Sequence, residues 1–271
     1  MINTSLDSIA IAGATGLMSG CHASIWGMYK DALHEGFRYG AFARSIVTGA
    51  IVTIVIEVWL GLPLPEPHAL VLLFGLGYAA ERGIVEVWKT FIRREDQSKY
   101  FIPMQFSIRG APVTSYGARL AAGVAYVAVV AGTLLVVQQL NDGASTIGHT
   151  GRAALGGMAV GVLLAIGGAW KDAPKEGFQI VKFFRSPVMT VIYACLLAQL
   201  ITDHLLIAAA AIGYERATAE TYKTFFFPSR PRGKFRGKPI LCPDLLVTRR
   251  YFVPVYVCIC ASVIACAAAA L

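Results

Sequence analysis

Lys30-Asp31-Ala32-Leu33-His34-Glu35-Gly36-Phe37 returns 141 residues later as Lys171-Asp172-Ala173-Pro174-Lys175-Glu176-Gly177-Phe178. A second charged stretch, Glu81-Arg82 with Glu86 and Lys89-Thr90-Phe91, returns with the same internal spacing as Glu215-Arg216 with Glu220 and Lys223-Thr224-Phe225. These residues lie in a strongly apolar chain, where ionisable groups are costly and functional by default. Their recurrence reads the chain as two copies of one unit. Working outward, Gly16, Gly20 and Arg44-Ser45 match Gly157, Gly161 and Arg185-Ser186 under the same shift of 141. At the Glu-Arg stretch the shift falls to 134, because Pro63–His68 in the first copy is answered by little more than Asp203-His204.

Composition sets the surroundings of these charges. The 271 residues are 56% hydrophobic and only 15% charged, where a soluble domain carries nearer a quarter. Eight apolar runs approach spanning length: 6–27, 46–62, 69–87, 120–140, 152–170, 187–202, 205–222 and 251–271. The predicted fold is an all-α integral membrane protein of about eight transmembrane helices. It comprises a first four-helix repeat over 1–140 and a second over 141–271. Four spans per unit keep both units in one orientation, so the repeats are parallel and a pseudo-twofold axis along the membrane normal is expected.

The formal net charge of +8 argues for topology rather than for nucleic acid. Of 24 Lys and Arg, 21 fall within 28–45, 88–119, 171–185 and 223–250, while 63–68 and 203–204 hold none. This asymmetry places the basic segments in the cytoplasm and both termini on the other side. Residues Met28–Phe42, mixing charge with aromatic rings, read as a separate helix lying in the cytoplasmic interface. Gly16/Gly20 and Gly157/Gly161 read as close-packing positions between helices.

The candidate ligand-binding residues are the duplicated charges: Lys30, Asp31, Glu35, Arg44, Glu81, Arg82, Glu86 and Lys89, with Lys171, Asp172, Glu176, Arg185, Glu215, Arg216, Glu220 and Lys223. Arg82, Glu86 and Lys89 share a helix face, as do Arg216, Glu220 and Lys223. Asp31 or Glu35 is expected to meet Arg82 or Lys89 within a unit, and Asp172 or Glu176 to meet Arg216 or Lys223. Two readings stand side by side. One is a structural ion-pair network, since half-desolvated charges need partners. The other is a site in which arginines hold phosphate oxygens and carboxylates hold a divalent ion. Glu57 is an intramembrane acid with Ala198 as its counterpart, so it lies outside any symmetric function.

No Cys-x-x-Cys pair and no aspartate-rich, alcohol-phosphotransferase or phosphate-binding loop motif is present, so no catalytic residue, metal or cofactor is assigned. Arg230, Arg232, Lys234, Arg236 and Lys238 form a polybasic segment suited to anionic lipid headgroups. A homo-oligomer or a larger membrane complex fits the chain, and a nucleic-acid partner is not expected. The leading expectation is a transport-type protein that moves a small ion or an anionic amphiphile such as a lipid phosphate. The alternatives are a membrane enzyme acting on a lipid-linked phosphate and a structural subunit of a larger complex.

Overall fold

A computed structural model of the chain describes residues 5–100, 102, 104–141, 146–227, 235 and 237–271, leaving aside the side chains of Lys99, Lys175 and Glu176. Nine α-helices are found among the described residues: α1 (Leu6–Glu35), α2 (Tyr39–Leu60), α3 (Pro67–Val87), α4 (Tyr116–Gln138), α5 (His149–Glu176), α6 (Ile180–Leu197), α7 (His204–Phe225), the short α8 (Leu245–Thr248) and α9 (Val253–Ala270). A π-helical turn, Trp88–Ile92, prolongs α3, and a two-residue hairpin pairs Ser107–Ile108 with Ala111–Pro112.

Local chemistry sets the helix limits. Ser5, Ser115 and Asp203 cap α1, α4 and α7 by accepting from the N–H groups of Ser8, Ala118 and Leu206. Such caps satisfy donors that the first turn leaves unpaired. Pro67 opens α3, where its fixed φ suits the first helical position and its missing N–H costs nothing. Gly36 and Gly177 stop α1 and α5 at φ 74 and φ 77, a backbone region that side chains with a Cβ disfavour. The single break 36–38 corrects the expectation of a separate interfacial helix over Met28–Phe42: α1 continues through Glu35, and α2 begins at Tyr39. At about 1.5 Å per residue, the 30 residues of α1 run about 45 Å, longer than a hydrocarbon core of about 30 Å.

Five helical segments are long and apolar enough to cross a membrane: Tyr39–Leu60, Tyr116–Gln138, His149–Pro174, Ile180–Leu197 and Leu245–Ala270. Their outer faces carry large exposed apolar residues, such as Val55 and Trp59 on α2, Val124 and Val136 on α4, and Val257 and Ile264 on α9. Bands of that kind belong against lipid tails, and the chain is an integral membrane protein. The three remaining long helices, α1, α3 and α7, hold most of the buried positions. Facing protein rather than lipid, they can carry polar and charged residues.

Helix α1 packs on α2, α5 on α6, and α3 on α7 at the centre. Helix α4 packs on α7 and α5, whereas α9 packs on α3 and α1. The close crossings are made by small residues. A Cβ on Gly20 would lie 2.6 Å from the Ile46 Cα, and one on Gly161 the same distance from the Pro187 Cα. At the centre, a Cβ on Gly75 would lie 2.9 Å from the Ala210 Cβ, and Gly213 abuts the Gly75 carbonyl. Lipid gives no hydrophobic drive to bring helices together, so backbone proximity and van der Waals contact do so. The glycine pairs are therefore spent inside the bundle. The larger apolar cluster joins Val71, Leu72 and Leu76 of α3 to Ile207, Ala210 and Ala211 of α7, with Ala194 and Leu197 of α6 against them.

Candidate functional site

The charged ends of the long helices meet at one end of the bundle. Helices α1 and α5 deliver Lys30 and Lys171 in their last two turns, and α3 and α7 deliver Glu81, Arg82, Glu86 and Glu215, Arg216, Glu220. The Arg249 Nη1 donates to the Tyr29 carbonyl at 3.1 Å, and the Arg119 Nη1 to the Arg93 carbonyl at 3.0 Å. These bonds tie the starts of α9 and α4 to the same layer.

Glu81 and Glu215 are the innermost acids, 1% and 0% exposed. Each pairs with the arginine that follows it: Arg82 donates to both Glu81 oxygens, and the Arg216 Nε lies 3.4 Å from the Glu215 Oε2. Each motif also meets the matching serine of the neighbouring helix. The Arg82 Nη2 donates to the Ser45 Oγ at 2.9 Å, and the Ser186 Oγ donates to the Glu215 Oε1 at 2.7 Å.

The longer bridges cross the molecule. The Lys30 Nζ on α1 donates to the Glu220 Oε2 on α7 at 2.7 Å, and Lys223 holds the other oxygen at 3.0 Å. Reciprocally, Lys171 on α5 donates to Glu86 on α3, whose other oxygen takes Lys89 at 2.7 Å. The expected pairing set the acids of the Lys-Asp segment against the cations of the nearer Arg-Glu-Lys face, and Asp31 and Glu35 do line one cavity with Arg82 and Lys89, as Asp172 lines another with Arg216 and Lys223. The lysines of that segment add bridges that the expectation did not include, because the crossing of α3 on α7 sets each glutamate opposite the lysine of the other charged stretch. Asp31 stays 3.8 Å from its neighbour Lys30, and the Lys182 Nζ lies 3.4 Å from the Asp172 Oδ2.

Beneath the charges lies an aromatic column that the sequence reading did not anticipate. Lys30 and Arg82 sit over the Trp26 ring at 4.6 and 5.5 Å. The Trp26 Nε1 donates to the Tyr78 hydroxyl at 2.9 Å, and the same hydroxyl is 3.3 Å from the His22 Nδ1. His22 stacks on Tyr256 at 4.2 Å, and the Tyr256 hydroxyl is 2.6 Å from the Thr221 Oγ1. The matching positions of the second stretch are Leu163, Gly167 and Ile212, so the column exists once. Apolar neighbours hid it: His22, Trp26 and Tyr78 read as ordinary span residues until α1 and α3 bring them together.

Two cavities open in the layer. One of about 180 Å³ lies between α1, α2 and the end of α3, where Arg44, Arg82, Lys89 and Arg93 face Asp31 and Glu35. The other, of about 40 Å³, is lined by Asp172, Lys182, Arg185, Arg216 and Lys223. Arg44 leans over Trp88 at 5.3 Å. No group of three or more His, Cys, Asp or Glu residues suited to a metal ion occurs among the described residues.

Glu57 is not part of this assembly. It is 1% exposed near the opposite end of α2, where its Oε2 accepts from the Leu62 N–H at 3.1 Å, past the Gly61 turn. The Glu176 side chain and Arg230, Arg232, Lys234 and Arg236 lie outside the described residues, while Lys238 closes a turn by donating its N–H to the Phe235 carbonyl at 3.0 Å.

No protein-family model, no curated protein and no solved structure matches the chain.

Proposed function

We propose that the chain crosses the membrane eight times as two parallel four-helix units, with both termini on the non-cytoplasmic side and the charged layer at the cytoplasmic face. In that frame it is a transport-type protein that moves a small anion or an anionic amphiphile such as a lipid phosphate, taken up at the charged layer. The contact pattern supports the two-unit reading. First and second helices pair in each unit, third helices meet at the centre, and each fourth helix packs on the other unit's first and third.

The observation that carries the function is the reciprocal pair of bridges, Lys30 to Glu220 and Lys171 to Glu86. They join the two units beside cationic cavities, at a layer where helices meet through charge rather than through packed apolar surface. Ion pairs of this kind can exchange partners with an incoming anion as the units rock, which packed apolar contacts cannot do. The polybasic stretch Arg230–Lys238 is proposed to gather anionic headgroups at the same face.

Reconstitution in lipid vesicles tests this reading. Vesicles holding the protein should redistribute a short-chain fluorescent phosphatidate, or release trapped phosphate, faster than protein-free vesicles. Lys30→Gln with Lys171→Gln should abolish the excess while the protein remains folded. Equal rates with and without protein for both probes would remove the transport reading.

A further inference from the structure

We infer that the larger cavity is the anion site and that its counterpart in the second unit is filled by the protein's own Lys182. The inference rests on the proposed duplication and on phosphate as the ligand chemistry, and it adds which copy binds and why. Under the shift of 141, Ala41 corresponds to Lys182, and under the shift of 134, Arg93 corresponds to Phe227. Both exchanges act on space and charge in the same direction. Ala41 lines the first cavity with a methyl group, whereas the Lys182 side chain enters the second and lies 3.4 Å from the Asp172 Oδ2. The volumes follow, about 180 Å³ against about 40 Å³.

The chemistry of the larger cavity is that of an anion cradle. Arg44 is within electrostatic reach of both Arg82 and Arg93, so three guanidinium groups surround one space. Arg93 is only 6% exposed, and neither its Nε nor that of Arg44 has a hydrogen-bond partner among the described residues. Guanidinium donors in a fixed fork match the oxygens of a phosphate, and the cations lining the cavity, Arg44, Arg82, Lys89 and Arg93, outnumber its acids, Asp31 and Glu35. Trp26, Phe42 and Tyr100 also line the cavity and give apolar surface beside the charge. The ligand is therefore a phosphate group, supplied either as free phosphate or as a lipid headgroup.

Binding to the purified full chain in detergent tests this, with inorganic phosphate and a short-chain phosphatidate as separate probes and calorimetry as the readout. The wild-type chain should bind one equivalent. Ala41→Lys should copy the Lys182 plug, occupying the space and pairing with the acids of the cavity, and weaken binding by about tenfold or more. Lys182→Ala should raise the stoichiometry from one toward two. Arg93→Phe copies the second unit by another route and decides the matter if Ala41→Lys does not fold. Saturable binding of both probes points to free phosphate, and binding of phosphatidate alone to a headgroup. Absence of saturable binding by both probes, or wild-type affinity in Ala41→Lys and Arg93→Phe together, overturns the site. Intact binding without vesicle flux would sink the transport reading and leave the site standing, while flux without binding would do the reverse.

Discussion

Replacing Glu220 by glutamine probes the bridges where they are most enclosed. The Lys30 and Glu220 side chains are 10% and 13% exposed, and Lys223, also 13% exposed, holds the second carboxylate oxygen. Glu220→Gln leaves two ammonium groups facing a neutral amide in a largely desolvated layer. Removing one partner of a buried pair costs about 3–5 kcal/mol, and the small remaining exposure sets the expectation near the lower limit, about 3 kcal/mol. The reciprocal bridge lies nearer solvent, with Lys171 28% and Glu86 38% exposed. Solvent screens that pair, so Glu86→Gln should cost about 1 kcal/mol or less. Denaturant unfolding of the purified protein in detergent, followed by far-UV circular dichroism, reads both. A cycle combining Glu220→Gln with Lys30→Gln should give a coupling of about 2 kcal/mol, since the two groups touch. A cost for Glu86→Gln equal to that for Glu220→Gln, or additive single effects at Lys30 and Glu220, would refute the unequal burial of the bridges. The same variants separate the two roles of the layer. Lost stability with unchanged flux per folded molecule marks a structural clasp, and lost flux at unchanged stability marks a site.

Gly161→Ala should destabilise by about 1–3 kcal/mol, because its Cβ would press on the Pro187 backbone at 2.6 Å, whereas Gly27→Ala, with nothing within 4 Å of its Cβ, should shift the melting temperature little. Equal melting temperatures for the two variants would contradict the close α5–α6 approach. Tyr78→Phe removes the hydroxyl that accepts from Trp26 and should cost about 1–2 kcal/mol with a change in Trp26 fluorescence; an unchanged spectrum would sink the aromatic column. In a cysteine-labelling scan, residues 93–110 should react from the cytoplasmic side and residues 146–150 from the opposite side. The reverse pattern would overturn the proposed orientation.

The membrane class, the long helices and the recurrence of the charged stretches were legible in the chain alone. Hydropathy, glycine punctuation and charge placement are local properties, and each is written into a single segment. The stops at Gly36 and Gly177 were visible as residues, but the length of α1 was misread. Aromatic and charged residues in Met28–Phe42 suit an interfacial helix and the end of a long helix equally well, and only the placement of the break at 36–38 separates them.

What the tertiary structure decided is which faces meet. Spacing shows that Arg82, Glu86 and Lys89 share a side of α3, yet several partners at the same depth carry the right sign. The crossing of α3 on α7 through Gly75 and Gly213 selects Lys171 for Glu86 and Lys30 for Glu220. His22, Trp26 and Tyr78 became one column, and two stretches of matching sequence came to line cavities of about 180 and about 40 Å³, for the same reason. Pairing and free volume depend on where separate helices stand relative to one another, and no periodicity within one helix records that.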